Sequence, residues 1–140
     1  MNRRATRQVA KQIARQMQAS NGGVVYLHGG MGAGKTTLVG EIVKILCPTA
    51  NPCSPTFTLI NQYAENIYHA DLYRLWENGA GDQADMAEQI MASTGIADLC
   101  VDGNFVFIEW PEGLKFGAAR NIIEVTIQVK ENGDREFIIA

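Results

Sequence analysis

The chain has no run approaching the roughly 18 consecutive apolar residues that would mark a membrane-spanning helix. Its three cysteines, Cys47, Cys53 and Cys100, include no Cys-x-x-Cys pair, and its two histidines are His28 and His69. This set is too sparse for the usual structural zinc site or for a disulfide framework, so the cysteines read as reduced thiols. Acid is nearly missing from the first part of the chain. Up to Ala64 only Glu41 opposes seven Lys/Arg, whereas from Glu65 onward fourteen acids outweigh five Lys/Arg. The net charge of −3 hides this polarity, which bears on how partners are steered rather than on fold. What is present, 140 residues with 46% apolar and 19% charged side chains, describes one ordinary globular domain over 1–140. A disordered tail, a collagen-like fibre and a coiled coil are excluded by the same figures.

The first fifteen residues are Arg-rich, acid-free and amphipathic, the profile of a mitochondrial presequence, but no apolar segment of the secretory type follows. Arg3, Arg7, Lys11 and Arg15 recur every four residues beside Ala5, Val9, Ile13 and Met17. We read this as a first helix that packs its apolar stripe on the domain and solvates its cations. A Ser-Asn-Gly-Gly loop at 20–23 precedes a buried strand predicted over 24–28. A helix is expected over 35–46, with Leu38, Val39, Ile42, Val43, Ile45 and Leu46 on its apolar side. It stops before Pro48, because a proline disfavours helical geometry in the residue ahead of it. Segment 48–55 holds three of the four prolines and is expected to be irregular.

Strands are expected over 57–63 and 67–72, joined by Ala64-Glu65-Asn66, with Ile67, His69 and Asp71 sharing one face. Residues 77–85 read as a polar connection and 86–93 as helical. Residues 105–108 form the most apolar strand candidate and end on Glu109-Trp110-Pro111. Ile123, Val125, Ile127 and Val129 alternate with polar residues as a half-buried strand does. Asn132-Gly133 then signals a type I′ turn into a strand over 136–139.

Gly29-Gly30-Met31-Gly32-Ala33-Gly34-Lys35-Thr36 satisfies G-x-x-x-x-G-K-[ST] in full. Glycines let the backbone curl so that successive amide N–H groups point at phosphate oxygens. The helix opening at Lys35 aims its free N–H groups and dipole at the same anion. Lys35 would reach the β- and γ-phosphates, and Thr36 would offer a hydroxyl to Mg²⁺. A buried strand before and an apolar helix after supply the context that a P-loop requires. These features predict a nucleoside triphosphate ligand, and the lack of an N-K-x-D guanine-reading segment points to ATP. The expected fold is therefore α/β: a single three-layer domain of the P-loop NTPase type, with a central mostly parallel sheet and antiparallel strand additions.

Such a site needs an acid at the end of a buried strand. Glu109 stands there, with Glu where Asp is usual. In that role it would hold a Mg²⁺-bound water, act as base for the attacking water, or do both; the alternative is a strand-end acid in solvent. Asp71 in His69-Ala70-Asp71-Leu72-Tyr73-Arg74 is the second candidate carboxylate, and the base and metal roles stay open between the two. His69 alone reads as a hydrogen-bonded structural histidine and Trp110 as core. Thr56 alone reads as a turn residue after Pro55, with sensing of γ-phosphate or metal as its functional alternative.

Taken together, Gly29 to Thr37, Ser54-Pro55-Thr56-Phe57-Thr58-Leu59, His69 to Leu75 and Ile108-Glu109-Trp110-Pro111-Glu112 resemble one family over nearly the whole chain. It is the bacterial tRNA threonylcarbamoyladenosine biosynthesis ATPase family, TsaE, also called YjeE. The resemblance implies a small cytoplasmic ATPase, weak on its own, that hydrolyses ATP with Mg²⁺ in support of threonylcarbamoyladenosine (t6A) modification of tRNA. It implies the TsaD and TsaB proteins as partners, with hydrolysis resetting their complex between turnovers, and with tRNA met indirectly. On the family pattern Gly30, Met31, Gly32, Ala33 and Gly34 cradle phosphate with Lys35 and Thr36, and Thr37 extends the cradle. Thr56 falls in a switch-like segment, Asp71 and Glu109 match functional acids, and Trp110 matches the adjoining aromatic. The sequence departs from the pattern at Gly30, where the family often has an acid nearby, and at Ala97-Asp98-Leu99-Cys100, which lacks the usual acidic stretch.

Three rival readings remain distinct. A small-molecule kinase would need lid arginines, yet after Arg15 only Arg74, Arg120 and Arg135 occur. A nucleotide-binding scaffold with negligible turnover would keep residues 29–36 and tolerate loss of Asp71 and Glu109. Direct tRNA contact through the Arg3-Arg7-Lys11-Arg15 stripe would collapse with salt and lacks interleaved aromatics for base stacking. That stripe reads as partner docking or solvation first.

Overall fold

A computed structural model describes residues 3–30, 32–50, 60–73, 89, 92, 95–111 and 121–140. In chain order the elements are α1 (Arg3–Ala19), β1 (Gly23–His28), α2 (Lys35–Leu46), β2 (Ile60–Ala64), β3 (Ile67–Asp71), α3 (Ile96–Leu99), β4 (Phe105–Glu109), β5 (Ile122–Val129) and β6 (Arg135–Ile139). The strands form one sheet in the order β2-β3-β4-β1-β5-β6. β3, β4, β1 and β5 run parallel, while β2 and β6 add antiparallel at the two edges. This is the expected α/β architecture.

Parallel strands are covered on both faces and so read as continuous apolar runs. Every residue of β4 is buried, as are the four central residues of β1. On one face Val25, Leu27, Phe107, Val125 and Ile127 pack with Ala10, Ile13, Ala14 and Met17 of α1 and with Leu38, Val39, Ile42 and Val43 of α2. On the other, Val24, Tyr26, Ala70, Leu72, Val106 and Ile108 pack with Ile96 and Cys100 around α3. No helix among the described residues is long and apolar enough to cross a membrane.

Local details differ from the sequence expectation. The buried side of α1 is Thr6, Ala10, Ile13, Ala14 and Met17, with Ala5 and Val9 half-buried. A strict four-residue repeat drifts by about 40° per step on a helix of 3.6 residues per turn, so the core contact moves off the expected stripe. Ile45 is exposed rather than packed, as is Val129, where β5 runs out into its hairpin. The expected helix at 86–93 is described only at Gln89 and Ala92, both helical, and 51–59 and 77–85 lie outside the described residues. β2 is therefore seen from Ile60 onward.

The hairpin between β5 and β6 corrects the type I′ expectation. That turn needs positive φ at two consecutive residues, but here only Gly133 (φ 88°) has it. The Gly133 N–H donates to the Lys130 carbonyl (2.9 Å), and the Lys130 N–H to the Asp134 carbonyl (2.7 Å). Gly133 is thus the fourth residue of a type I turn, in the three-residue loop with a glycine bulge. Asn132 Oδ1 instead accepts the Asp134 N–H (2.9 Å), a local bond that asparagine side chains make readily. The strand begins at Arg135, one residue before its expected start.

Candidate functional site

Parallel strands deliver their C-terminal ends to one edge of a sheet, where α/β proteins bind ligands. At that edge stand Asp71 of β3, Glu109 of β4 and the glycine loop that joins β1 to α2. The register sets Asp71 beside Glu109 and Glu109 beside Leu27. Gly29 must be glycine, because a Cβ there would lie 2.8 Å from the Ile127 carbonyl oxygen. Gly34 enters α2 with φ 105° and caps it without a side chain. No side chain caps this helix start, where α-helices present backbone N–H groups that anions can meet. Gly32 through Thr37, with Asp71, Glu109, Trp110 and Arg135, line a cleft of about 360 Å³.

Lys35 is only 5% exposed. Its Nζ donates to the Gly29 carbonyl (2.6 Å) and sits 3.7 Å from the centroid of the Trp110 ring. Trp110 reaches this position with φ 61°, a left-handed conformation costly for a bulky residue. Its ring also packs on Tyr73, with centroids 4.9 Å apart.

Glu109, 3% exposed, is the hub of a buried chain of hydrogen bonds. Its Oε2 accepts from the Thr36 hydroxyl (2.8 Å) and from His69 Nε2 (2.6 Å). A carboxylate only accepts, so Nε2 carries a proton, and Nδ1 shares a further hydrogen bond with the Tyr63 hydroxyl (3.1 Å). Burial, then the nearby Glu109 charge, pushes the Tyr63 pKa up and keeps that hydroxyl protonated. For Glu109 burial alone would favour the neutral acid. The His69 hydrogen bond and charge, the Thr36 bond and the Lys35 charge outweigh it and hold the carboxyl below its ordinary value.

A depressed carboxyl pKa stabilises the fold while ionised, and the benefit is lost as pH falls through the folded-state value, because the unfolded chain takes up the proton first. Denaturant midpoints of the wild type should therefore drop more steeply below the ordinary carboxylate range than those of Glu109→Gln. Parallel curves would rule out this contribution.

The structure brings together Gly32, Ala33, Gly34, Lys35, Thr36, Thr37, Asp71, Glu109 and Trp110 around the cleft, with His69 behind Glu109. Gly30 lies in the same loop, its carbonyl accepting the Ala33 N–H (3.2 Å). Asp71 is exposed, and its Oδ1 accepts the Tyr73 N–H (3.1 Å). Met31 and Thr56 lie outside the described residues. Trp110, read alone as core, is half-buried against Lys35. Sequence reasoning missed Tyr63 and Arg135. Tyr63 lies at the irregularity between Gln62 and Ala64, where strict alternation fails. Arg135 is 102 residues from Ala33, whose carbonyl it binds, and no local pattern marks it.

The family model described as "Threonylcarbamoyl adenosine biosynthesis protein TsaE" matches residues 1–137. The chain belongs to the TsaE family. The tRNA threonylcarbamoyladenosine biosynthesis protein TsaE of Rickettsia felis is 33% identical over 138 residues, covering 96% of this chain and 73% of that one. The TsaE protein of Rickettsia prowazekii is 32% identical over 138 residues, covering 96% and 87%. The crystal structure of Bacillus subtilis YdiB superposes with a TM-score of 0.59 at 23% identity, covering 98% of this chain and 78% of that one. At that identity it speaks for the fold. Membership of the TsaE family places the chain in t6A biosynthesis, with the cleft at the sheet edge as the site to be explained.

Proposed function

We propose that this chain binds ATP with Mg²⁺ in the cleft as a P-loop ATPase and hydrolyses it in the cytoplasm to support t6A modification, acting with the TsaB–TsaD complex. The observation that carries the reading is the convergence of Lys35, Thr36 and Glu109 at the mouth of the glycine loop. Backbone amides of the loop and first helical turn bind phosphate oxygens, while Lys35 exchanges the Gly29 carbonyl for the β- and γ-phosphates. The Thr36 hydroxyl and Glu109 carboxylate, two oxygen donors 2.8 Å apart, fit a hard divalent cation. Mg²⁺ held there would neutralise charge on the phosphates.

Glu109 is assigned to the cation side because Thr36 ties it there and its partners keep it ionised. Asp71, in register beside it and exposed to the cleft, is left to orient the attacking water. Water oxygen bonds to the γ-phosphorus in line as the bond to the ADP oxygen breaks, giving ADP and phosphate, with one proton released from the water. His69 and Tyr63 hold the carboxylate in place and do not touch substrate.

The test is ATP hydrolysis measured alone and with purified TsaB–TsaD complex and tRNA, using Lys35→Ala as the blank. Slow turnover alone and faster turnover with the complex are expected. Turnover indifferent to the complex would remove the partner assignment, and phosphate transfer to a small acceptor in place of water would replace hydrolysis with kinase chemistry.

A further inference from the structure

Arg135 opens β6 and reaches back to the glycine loop. Its Nε donates to the Ala33 carbonyl (2.6 Å) and its Nη2 to the Gly32 carbonyl (3.2 Å). In a trans peptide the carbonyl and the following N–H point in opposite directions. Fixing these two carbonyls on the arginine side therefore turns the Ala33 and Gly34 N–H groups the other way. The Ala33 N–H meets the Gly30 carbonyl across the loop (3.2 Å). That leaves the Gly34 N–H as the amide whose direction Arg135 sets.

A second observation supports the same role. A Cβ on Gly34 would stand 3.0 Å from Arg135 Nε, so the glycine ahead of Lys35 also makes room for the guanidinium. The arginine is itself held firmly. It pairs with Val129 across the hairpin, beside the bonds that close the Lys130–Asp134 loop. The side chain also lines the cleft, so its charge lies beside whatever binds there. A planar fork with a permanent charge suits two adjacent carbonyls in a way that a lysine point charge does not.

We propose that Arg135 is a positioning residue for phosphate recognition. It locks the Gly32 and Ala33 peptide planes so that the Gly34 N–H faces the phosphates, and it adds a fixed positive charge at the cleft. This rests on the nucleotide reading above. The role belongs to the polyphosphate part of the ligand, so it should appear equally with ADP, ATP and inorganic pyrophosphate, and be absent with adenosine.

The experiment is calorimetric titration of the full chain with each of these four ligands, for wild type, Arg135→Ala, Arg135→Lys and Arg135→Gln. Thermal unfolding is recorded alongside. Loss of two charge-assisted hydrogen bonds predicts weaker pyrophosphate, ADP and ATP binding by about 10- to 100-fold in Arg135→Ala. The KM for ATP should rise by a similar factor while kcat moves far less. Arg135→Lys should recover part of the affinity and Arg135→Gln less, which keeps the test decisive if the alanine variant does not fold. Unchanged pyrophosphate and ADP binding in the variants, even with a lower unfolding temperature, would reduce Arg135 to a structural contact and overturn the proposal. An equal loss with adenosine would overturn it too. A wild-type chain that binds none of the phosphate ligands would sink the nucleotide reading and this inference together, whereas wild-type binding with insensitive variants sinks this inference alone.

Discussion

Lys35→Ala is expected to abolish nucleotide turnover, with kcat/KM falling by at least roughly 10²- to 10³-fold. The side chain is buried at 5% exposure, and its partners include the Gly29 carbonyl and the Trp110 ring. No other lysine lines the cleft among the described residues, and Arg135 has its Nε and Nη2 on loop carbonyls. The variant therefore loses the ammonium that would meet β- and γ-phosphate oxygens. It also frees the Trp110 ring from its cation, so circular dichroism in the aromatic region should change while the far-ultraviolet signal holds. Titration with ATP or ADP is the deciding measurement. Binding as tight as in the wild type would overturn the phosphate assignment.

The second large effect is expected from Glu109→Gln. The substitution keeps shape in a site only 3% exposed, and the amide oxygen can still accept one of the bonds from Thr36 and His69. What goes is the negative charge. Nucleotide should still bind within a few-fold, because removing an anion beside phosphates costs the complex little, while hydrolysis should fall by about 10²- to 10⁴-fold. Glu109→Ala is the poorer probe. It strands a buried imidazole N–H and a threonine hydroxyl, each unsatisfied group costing about 1–3 kcal/mol, so lost activity would be confounded with lost stability. Single-turnover hydrolysis with saturating ATP and Mg²⁺ separates binding from chemistry. A normal rate in Glu109→Gln would remove the carboxylate from the mechanism.

The sequence makes the central part of this molecule legible for local reasons. The strand before the glycine loop and the helix after it fall within one residue of their expected bounds, since glycine punctuation and Pro48 mark both ends. Lys35, Thr36 and Glu109 could be named because their chemistry is written in short patterns that close on themselves. Asp71, which taken alone reads as a surface-strand acid, is indeed exposed. His69 was read as structural, and the structure gives that reading a functional edge by setting its Nε2 on Glu109. Tyr63 was hidden by a strand irregularity, and Arg135 by sequence distance. The type I′ expectation failed because an Asn-Gly pair fits two turn geometries, and which residues take positive φ is settled by the strand register around it.

The strand order has a consequence for how the molecule comes to exist. β1, the strand that presents the glycine loop, lies between β4 and β5, so both of its neighbours come from residues beyond Asn104. While the chain is being made, β1 emerges early as an apolar ribbon with two open edges and no partner on either side. α1 and α2 can shield one of its faces by then, but its backbone hydrogen bonds must wait until β4 and β5 have been synthesised. The site at its end is built from contacts that span most of the chain, and such non-local pairing is slow to form. The part of the sequence most easily read is therefore among the last to acquire its three-dimensional meaning.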